Sequence, residues 1–338
     1  MRRFAIFALP FLAVVFLALP CFAAEKTYHI ETLQVTDIVV FDNAYQGFIQ
    51  GLKSQGIVEG VNLKINKRTI DFDVEKGGIW KKVGVLMEIK SQASQIVTAK
   101  PDLVLTIGTP ATKYAKDKII AAGIPLVFTS VAVPEAAGCK SLTVSGPGFT
   151  GATLYMNMKN ALQITRLAFP AVKTVGIIHT DDDNALAQIQ QAKSVGPSLG
   201  FNFITKEVGK KDDAGPAAKE LIAKGAQAFA TTLDTYWGMN DLKHAHELAA
   251  VSLQTRIPVF SLINYKSPGA ILYVGSDFTY IGSLSGKQAA KILKEGAKPG
   301  DLPVLKQEDL SILVDLNMMK ALKIDLPMEI LQLAKPVK

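Results

Sequence analysis

Two glycine motifs, a run of consecutive polar residues and four histidines are the places where this sequence could do chemistry. Gly146-Pro147-Gly148-Phe149-Thr150-Gly151 fits G-x-G-x-x-G, the turn that lets a backbone approach a dinucleotide pyrophosphate. Such a site also needs a carboxylate roughly 20 residues on for the ribose, and that neighbourhood holds Arg166 and Lys173 instead. The motif therefore reads as a hinge near the middle of the chain, where glycines absorb torsion changes. Gly282-Ser283-Leu284-Ser285-Gly286-Lys287 approximates a phosphate loop. It is one residue short between its glycines and is followed by Gln288 where Ser or Thr must stand, so it reads as the first turn of a helix. No G-x-S-x-G nucleophile elbow occurs. His244 and His246 lie two apart on a predicted helix and point about 200° apart, which rules out a shared metal. The sequence predicts no catalytic residue, no cofactor and no metal, and so no enzyme.

What remains is a set of small and polar residues at the carboxyl ends of predicted strands. They are Thr109-Pro110-Ala111, Thr129-Ser130-Val131, Asp181-Asp182-Asp183-Asn184, Asp234-Thr235 and Ser276-Asp277. Open α/β sheets bind ligands outside the carboxyl ends of their strands. Each cluster could be turn chemistry alone. Asp181 and Asp182 read as an exposed loop that caps the following helix, whereas Asp183 and Asn184 are open between capping and binding.

The elements that would position these residues follow an α/β rhythm. Strands are expected at Thr32–Val40, Val61–Ile70, Leu103–Ile107 and Pro125–Ser130, with helices at about Ala44–Ser54, Val83–Ala99 and Ala111–Ala121. The rhythm restarts after Gly148, with strands Thr174–His179, Phe201–Glu207, Ala228–Leu233, Pro258–Ile263 and Ala270–Val274. Two copies of one pattern predict an α/β fold of two Rossmann-like lobes with parallel sheets joined by a hinge. The predicted boundaries are 27–146 plus about 280–303 for the first lobe, and 147–278 plus about 304–338 for the second.

Arg2 and Arg3, an apolar run from Phe4 to Leu19 and small residues at Cys21 and Ala23 have the grammar of a signal peptide, residues 1–23, cleaved near Ala23. Its apolar stretch of roughly 16 residues is short for a bilayer span, which favours a soluble periplasmic form over a lipoprotein. Removing 23 of 338 residues leaves 315, natural for two domains, and lowers the formal charge from +7 to +5. The cations are dispersed, so no nucleic-acid partner is expected. Cys139 alone survives cleavage and reads as a small buried hydrophobe.

The chain resembles the tryptophan/tyrosine-type ABC transporter substrate-binding proteins, which have the type I periplasmic binding protein fold. The carriers are GFIQGLKSQGIVEGVNLKI (47–65), KPDLVLTIGTPAT (100–112), IPLVFTSVAVPEAAG (124–138), FTGAT (149–153), FPAVKTVGIIHT (169–180), TTLDTYW (231–237), RIPVF (256–260) and ILKEGAKPGDLPV (292–304), in that order. The resemblance implies a small-molecule ligand held between closing lobes, an ABC permease as partner, and a monomer as the default state. It implies ligand contacts from Thr109, Pro110, Ala111, Thr129, Ser130 and Val131 on the first lobe, and from Asp183 or Asn184, Asp234 and Asp277 on the second. The chain departs from the family in placing Val133 before Pro134, where an Asp is usual. A zwitterion would take its carboxylate to the helix start near Ala111 and Thr112 and its ammonium to Asp234 or Asp277. Tyr236, Trp237, Tyr265 and Tyr280 are candidates for apolar walls, and Asp234→Ala is expected to lose affinity with the fold intact. A sensory module presenting to a membrane receptor and an exported α/β enzyme are the alternatives.

Overall fold

The computed structural model describes residues 26–70 and 79–337, so the expected signal segment lies outside the described residues. The first lobe opens with β1 (Tyr28–Val35), α1 (Val39–Lys53), β2 (Leu63–Ile70), α2 (Ile79–Ala99), β3 (Leu103–Ile107), α3 (Thr109–Ala121), β4 (Leu126–Val131) and β5 (Phe149–Thr153). The second lobe follows as α4 (Met158–Ala168), β6 (Thr174–His179), α5 (Asp183–Val195), β7 (Asn202–Glu207), α6 (Ala214–Ala223), β8 (Ala228–Thr231), α7 (Lys243–Thr255), β9 (Val259–Ser261) and β10 (Ala270–Gly275). The chain returns to the first lobe for α8 (Phe278–Glu295) and β11 (Leu305–Lys306). It ends in the second with β12 (Ser311–Val314), α9 (Leu316–Leu322), α10 (Met328–Leu333) and β13 (Lys335–Pro336).

The strand orders are β2-β1-β3-β4-β5-β11 and β7-β6-β8-β9-β10-β12-β13, parallel throughout except where β12 runs against β10. In each sheet the order reverses at the first strand, at β1/β3 and at β6/β8, which opens a crevice at the carboxyl ends. Central strands such as LVLTI in β3 are buried along their whole length because helices cover both faces.

Two boundaries differ from the expectation. β5 pairs in parallel with β4, Leu126 opposite Phe149, so the first lobe runs past residue 146 to Thr153. β11 pairs with β5, Leu305 opposite Ala152, carrying that lobe past residue 303 to Lys306. Gly146-Pro147-Gly148 is a turn inside the first lobe rather than the hinge; Gly148 has φ +79° and leads straight into β5. Gly151 disguised this strand, because a glycine weakens a strand pattern. It is needed there, since a Cβ would lie 2.2 Å from the Phe128 carbonyl oxygen. The chain crosses between lobes at 154–157, 276–277 and 307–310, and these segments are stitched together: Asp277 N–H donates to Gln307 Oε1 at 2.8 Å.

The expected strand Thr32–Val40 ends at Val35, because Thr36 turns left-handed at φ 73° and Val39 already begins α1. Gly282 and Gly286 belong to helix packing. Cβ atoms there would lie 2.0 Å from the Ala44 carbonyl oxygen and 2.3 Å from that of Phe48, so α8 can press onto α1 only with glycine at both positions.

Candidate functional site

The carboxyl ends of the two sheets face each other across a cleft of about 1240 Å³. On the first-lobe wall, Val35 and Thr36 leave β1, Ile38 to Phe41 open α1, Thr109 and Pro110 open α3, and Ser130 ends β4. Neither helix has a side-chain cap: Ile38 precedes α1 and Gly108, at φ +87°, precedes α3. First-turn N–H groups such as those of Thr109 and Ala111 have no partner within their own helix. This wall therefore carries a positive partial charge.

Like Thr36, Ser130 is a strained residue of that wall. It sits at φ 58° although it is not glycine, is 3% exposed, and its Oγ has no hydrogen-bond partner among the described residues. A left-handed serine costs about 1–2 kcal/mol, and a buried unpaired hydroxyl adds to that cost.

The second-lobe wall carries the carboxylates. Asp181, Asp182, Asp183 and Asn184 stand at the start of α5, Thr231 ends β8 with Leu233, Asp234 and Thr235 after it, and Ser261 ends β9 with Ile263 and Tyr265 after it. Thr231 Oγ1 donates to Ser261 Oγ at 3.0 Å, a hydroxyl pair on the cleft floor. Thr109 Oγ1 of the first lobe donates to Asn184 Oδ1 of the second at 3.0 Å, so the walls touch directly.

Asp234 borders the cleft but is 4% exposed and committed to protein donors. Its oxygens accept from Thr180 N at 2.7 Å, Thr180 Oγ1 at 2.9 Å and Tyr236 N at 3.0 Å. Asp182 is less enclosed. Oδ1 accepts from Asn184 N at 2.9 Å, which caps α5, and Oδ2 accepts from Thr235 Oγ1 at 3.2 Å. Burial, and then the neighbouring Asp234, hold the Asp182 carboxyl above the usual carboxylate range, against the pull of Lys210. Among the described residues, no three of His, Cys, Asp and Glu gather into a metal site.

The model of the family described as ABC transporter substrate binding protein matches residues 30–338. The chain belongs to this family. The tyrosine-binding protein of Clostridioides difficile is 25% identical over 302 residues, covering 88% of this chain and 82% of that protein. Among solved structures, a conserved domain protein of Vibrio cholerae superposes with a TM-score of 0.77 at 25% identity, over 93% of this chain and all of that one. An ABC domain from Streptococcus pneumonia in complex with L-Trp does so with a TM-score of 0.73 at 21% identity, over 91% of this chain and all of that one. These matches are to the type I periplasmic binding protein architecture expected from the sequence, and a protein of this family works outside the cytoplasmic membrane.

In this substrate-binding protein the structure brings Thr109, Pro110, Ser130, Asp183, Asn184 and Asp234 to the cleft. It does not bring the side chains of Ala111, Thr129, Val131 or Asp277 to the lining. Thr129 and Val131 are buried behind that wall, since neighbouring residues of a strand point to opposite faces, and Ala111 lies on the buried side of α3. Asp277 instead caps α8, accepting from Tyr280 N at 2.9 Å. Of the expected aromatics, Trp237 and Tyr265 line the cleft. Tyr236 is buried against His244, with ring centroids 3.9 Å apart, and Tyr280 lies exposed on α8. Asp182 caps α5 as the sequence suggested, but its place in the cleft lining was not anticipated, nor was that of Val39 and Val40, whose β-branched side chains resembled a strand.

Proposed function

We propose that this binding protein captures an aromatic amino acid, tyrosine or tryptophan, between its two lobes and delivers it to an ABC permease. The observation that carries the reading is the pairing of a strained, unpartnered Ser130 hydroxyl with uncapped helix starts on one wall, opposite a carboxylate-bearing wall on the other. An α-amino acid carries the two complementary charges on adjacent groups. Phe41, Trp237, Tyr265 and Phe278 at the cleft supply aromatic surface for a ring. The tyrosine-binding relative and the tryptophan complex support the ring as the side chain.

The ligand contacts both walls and so gains contacts on closure, which shifts the population toward the closed form that a permease reads. The apolar leader and its small residues support export to the periplasm with cleavage near Ala23. The protein acts there as a monomeric carrier without nucleic-acid contacts or turnover. Mass spectrometry of the purified protein tests the reading. A stoichiometric, chemically unchanged aromatic amino acid is expected, and a converted product or a ligand of another class would overturn it.

A further inference from the structure

Five carboxylates had a claim on a cationic group: Asp181 and Asp183, which stand exposed at the cleft on the loop and first turn of α5, and Asp182, Asp234 and Asp277, whose surroundings differ. Asp277 is spent on the α8 cap outside the cleft lining. Asp234 is almost wholly enclosed, and its oxygens hold Thr180 and Tyr236 in place. Asp182 lines the cleft and is less enclosed than Asp234, although it too accepts from protein donors, Asn184 N, Thr235 Oγ1 and the Thr235 backbone N–H. It also stands beside Asn184, the residue through which the lobes already touch.

From this geometry we infer that Asp182 is the specificity-determining residue that receives the ligand's ammonium group, with Asp234 behind it as a scaffold. This rests on the reading of the ligand as an amino acid and names the residue that selects for its amine. The electrostatics agree. The charged groups around Asp182 are Asp234 after β8, Lys210 on the loop after β7, and Asp181 and Asp183 on its own loop; Lys113 of α3 lines the cleft from the other lobe. Burial and Asp234 penalise the ionised form of Asp182, and an arriving ammonium relieves that penalty. Binding therefore releases a proton over the pH range in which free Asp182 is partly protonated, and affinity rises with pH across that range.

Asp182→Asn is the decisive variant, because asparagine caps a helix as well as aspartate does and keeps the side-chain shape. Calorimetric titrations of wild type and variant would use L-tyrosine, L-tryptophan and the deaminated acid 3-(4-hydroxyphenyl)propionate, in two buffers of different ionisation enthalpy. Wild type is expected to prefer the amino acid over the amine-free acid and to release protons. Asp182→Asn is expected to lose about 10- to 100-fold in affinity for the amino acid, to lose the preference, and to release no proton. An intact preference in Asp182→Asn, with wild type still binding tyrosine or tryptophan, would overturn this inference alone. Failure of wild type to bind either amino acid would overturn it together with the proposed function.

Discussion

Thr109 Oγ1 donates to Asn184 Oδ1 at 3.0 Å, joining the first residue of α3 in one lobe to the second residue of α5 in the other. The two helices belong to different sheets and meet only because both start at carboxyl strand ends that face each other. The bond thus ties the two walls of the cleft together.

Thr109→Val removes the donor and keeps the shape. A neutral hydrogen bond contributes about 1 kcal/mol, so ligand affinity is expected to fall about fivefold. Small-angle scattering of the unliganded variant should show a larger radius of gyration than wild type; identical curves would mean that the bond does not bias closure.

Ser130 couples stability to binding in opposite senses. Ser130→Gly relieves the left-handed strain at φ 58° and is expected to raise stability by about 0.5–1 kcal/mol while weakening ligand binding through loss of the hydroxyl. Denaturant melts and titrations on the same sample would read both effects, and a variant that is less stable yet binds normally would contradict the role assigned to Ser130.

For Asp234 the hydrogen bonds add a cost in stability to the loss of affinity expected from the sequence. Asp234→Ala leaves Thr180 N and Tyr236 N without their acceptor and should cost about 2–4 kcal/mol of stability. Chemical denaturation checks this, and an unchanged midpoint would return Asp234 to the status of a ligand residue.

Asp182 should also leave a signature in the pH dependence of folding. Its folded pKa lies above its unfolded value of about 3.9. Its contribution to stability is therefore fully present below that pH and is lost as pH rises through the folded value. Asp182→Asn should match wild type in melts at low pH and exceed it at neutral pH; parallel curves across the range would contradict the raised pKa.

Much of the fold was legible because strands buried on both faces leave a plain signal. Thr174–His179 and Leu103–Ile107 fall where their β-branched runs put them. Phe149–Thr153 was hidden by the close approach that demands Gly151, and Val39 to Phe41 by β-branched residues that open a helix toward the cleft. In the site, strand ends alone pointed to Thr109, Ser130 and Asn184. Side-chain commitments could not be read from spacing. Asp182 and Asp234 are the same residue type at similar places, both held by protein donors, and only their enclosure in the fold separates them.

The central claim is that one aromatic amino acid sits between the lobes, and calorimetric titration of ligand-stripped protein with L-tyrosine and L-tryptophan tests it most directly. Saturable one-to-one binding of at least one of them is expected, weakened in both Ser130→Gly and Asp182→Asn. No saturable heat with either amino acid at millimolar concentration would contradict it.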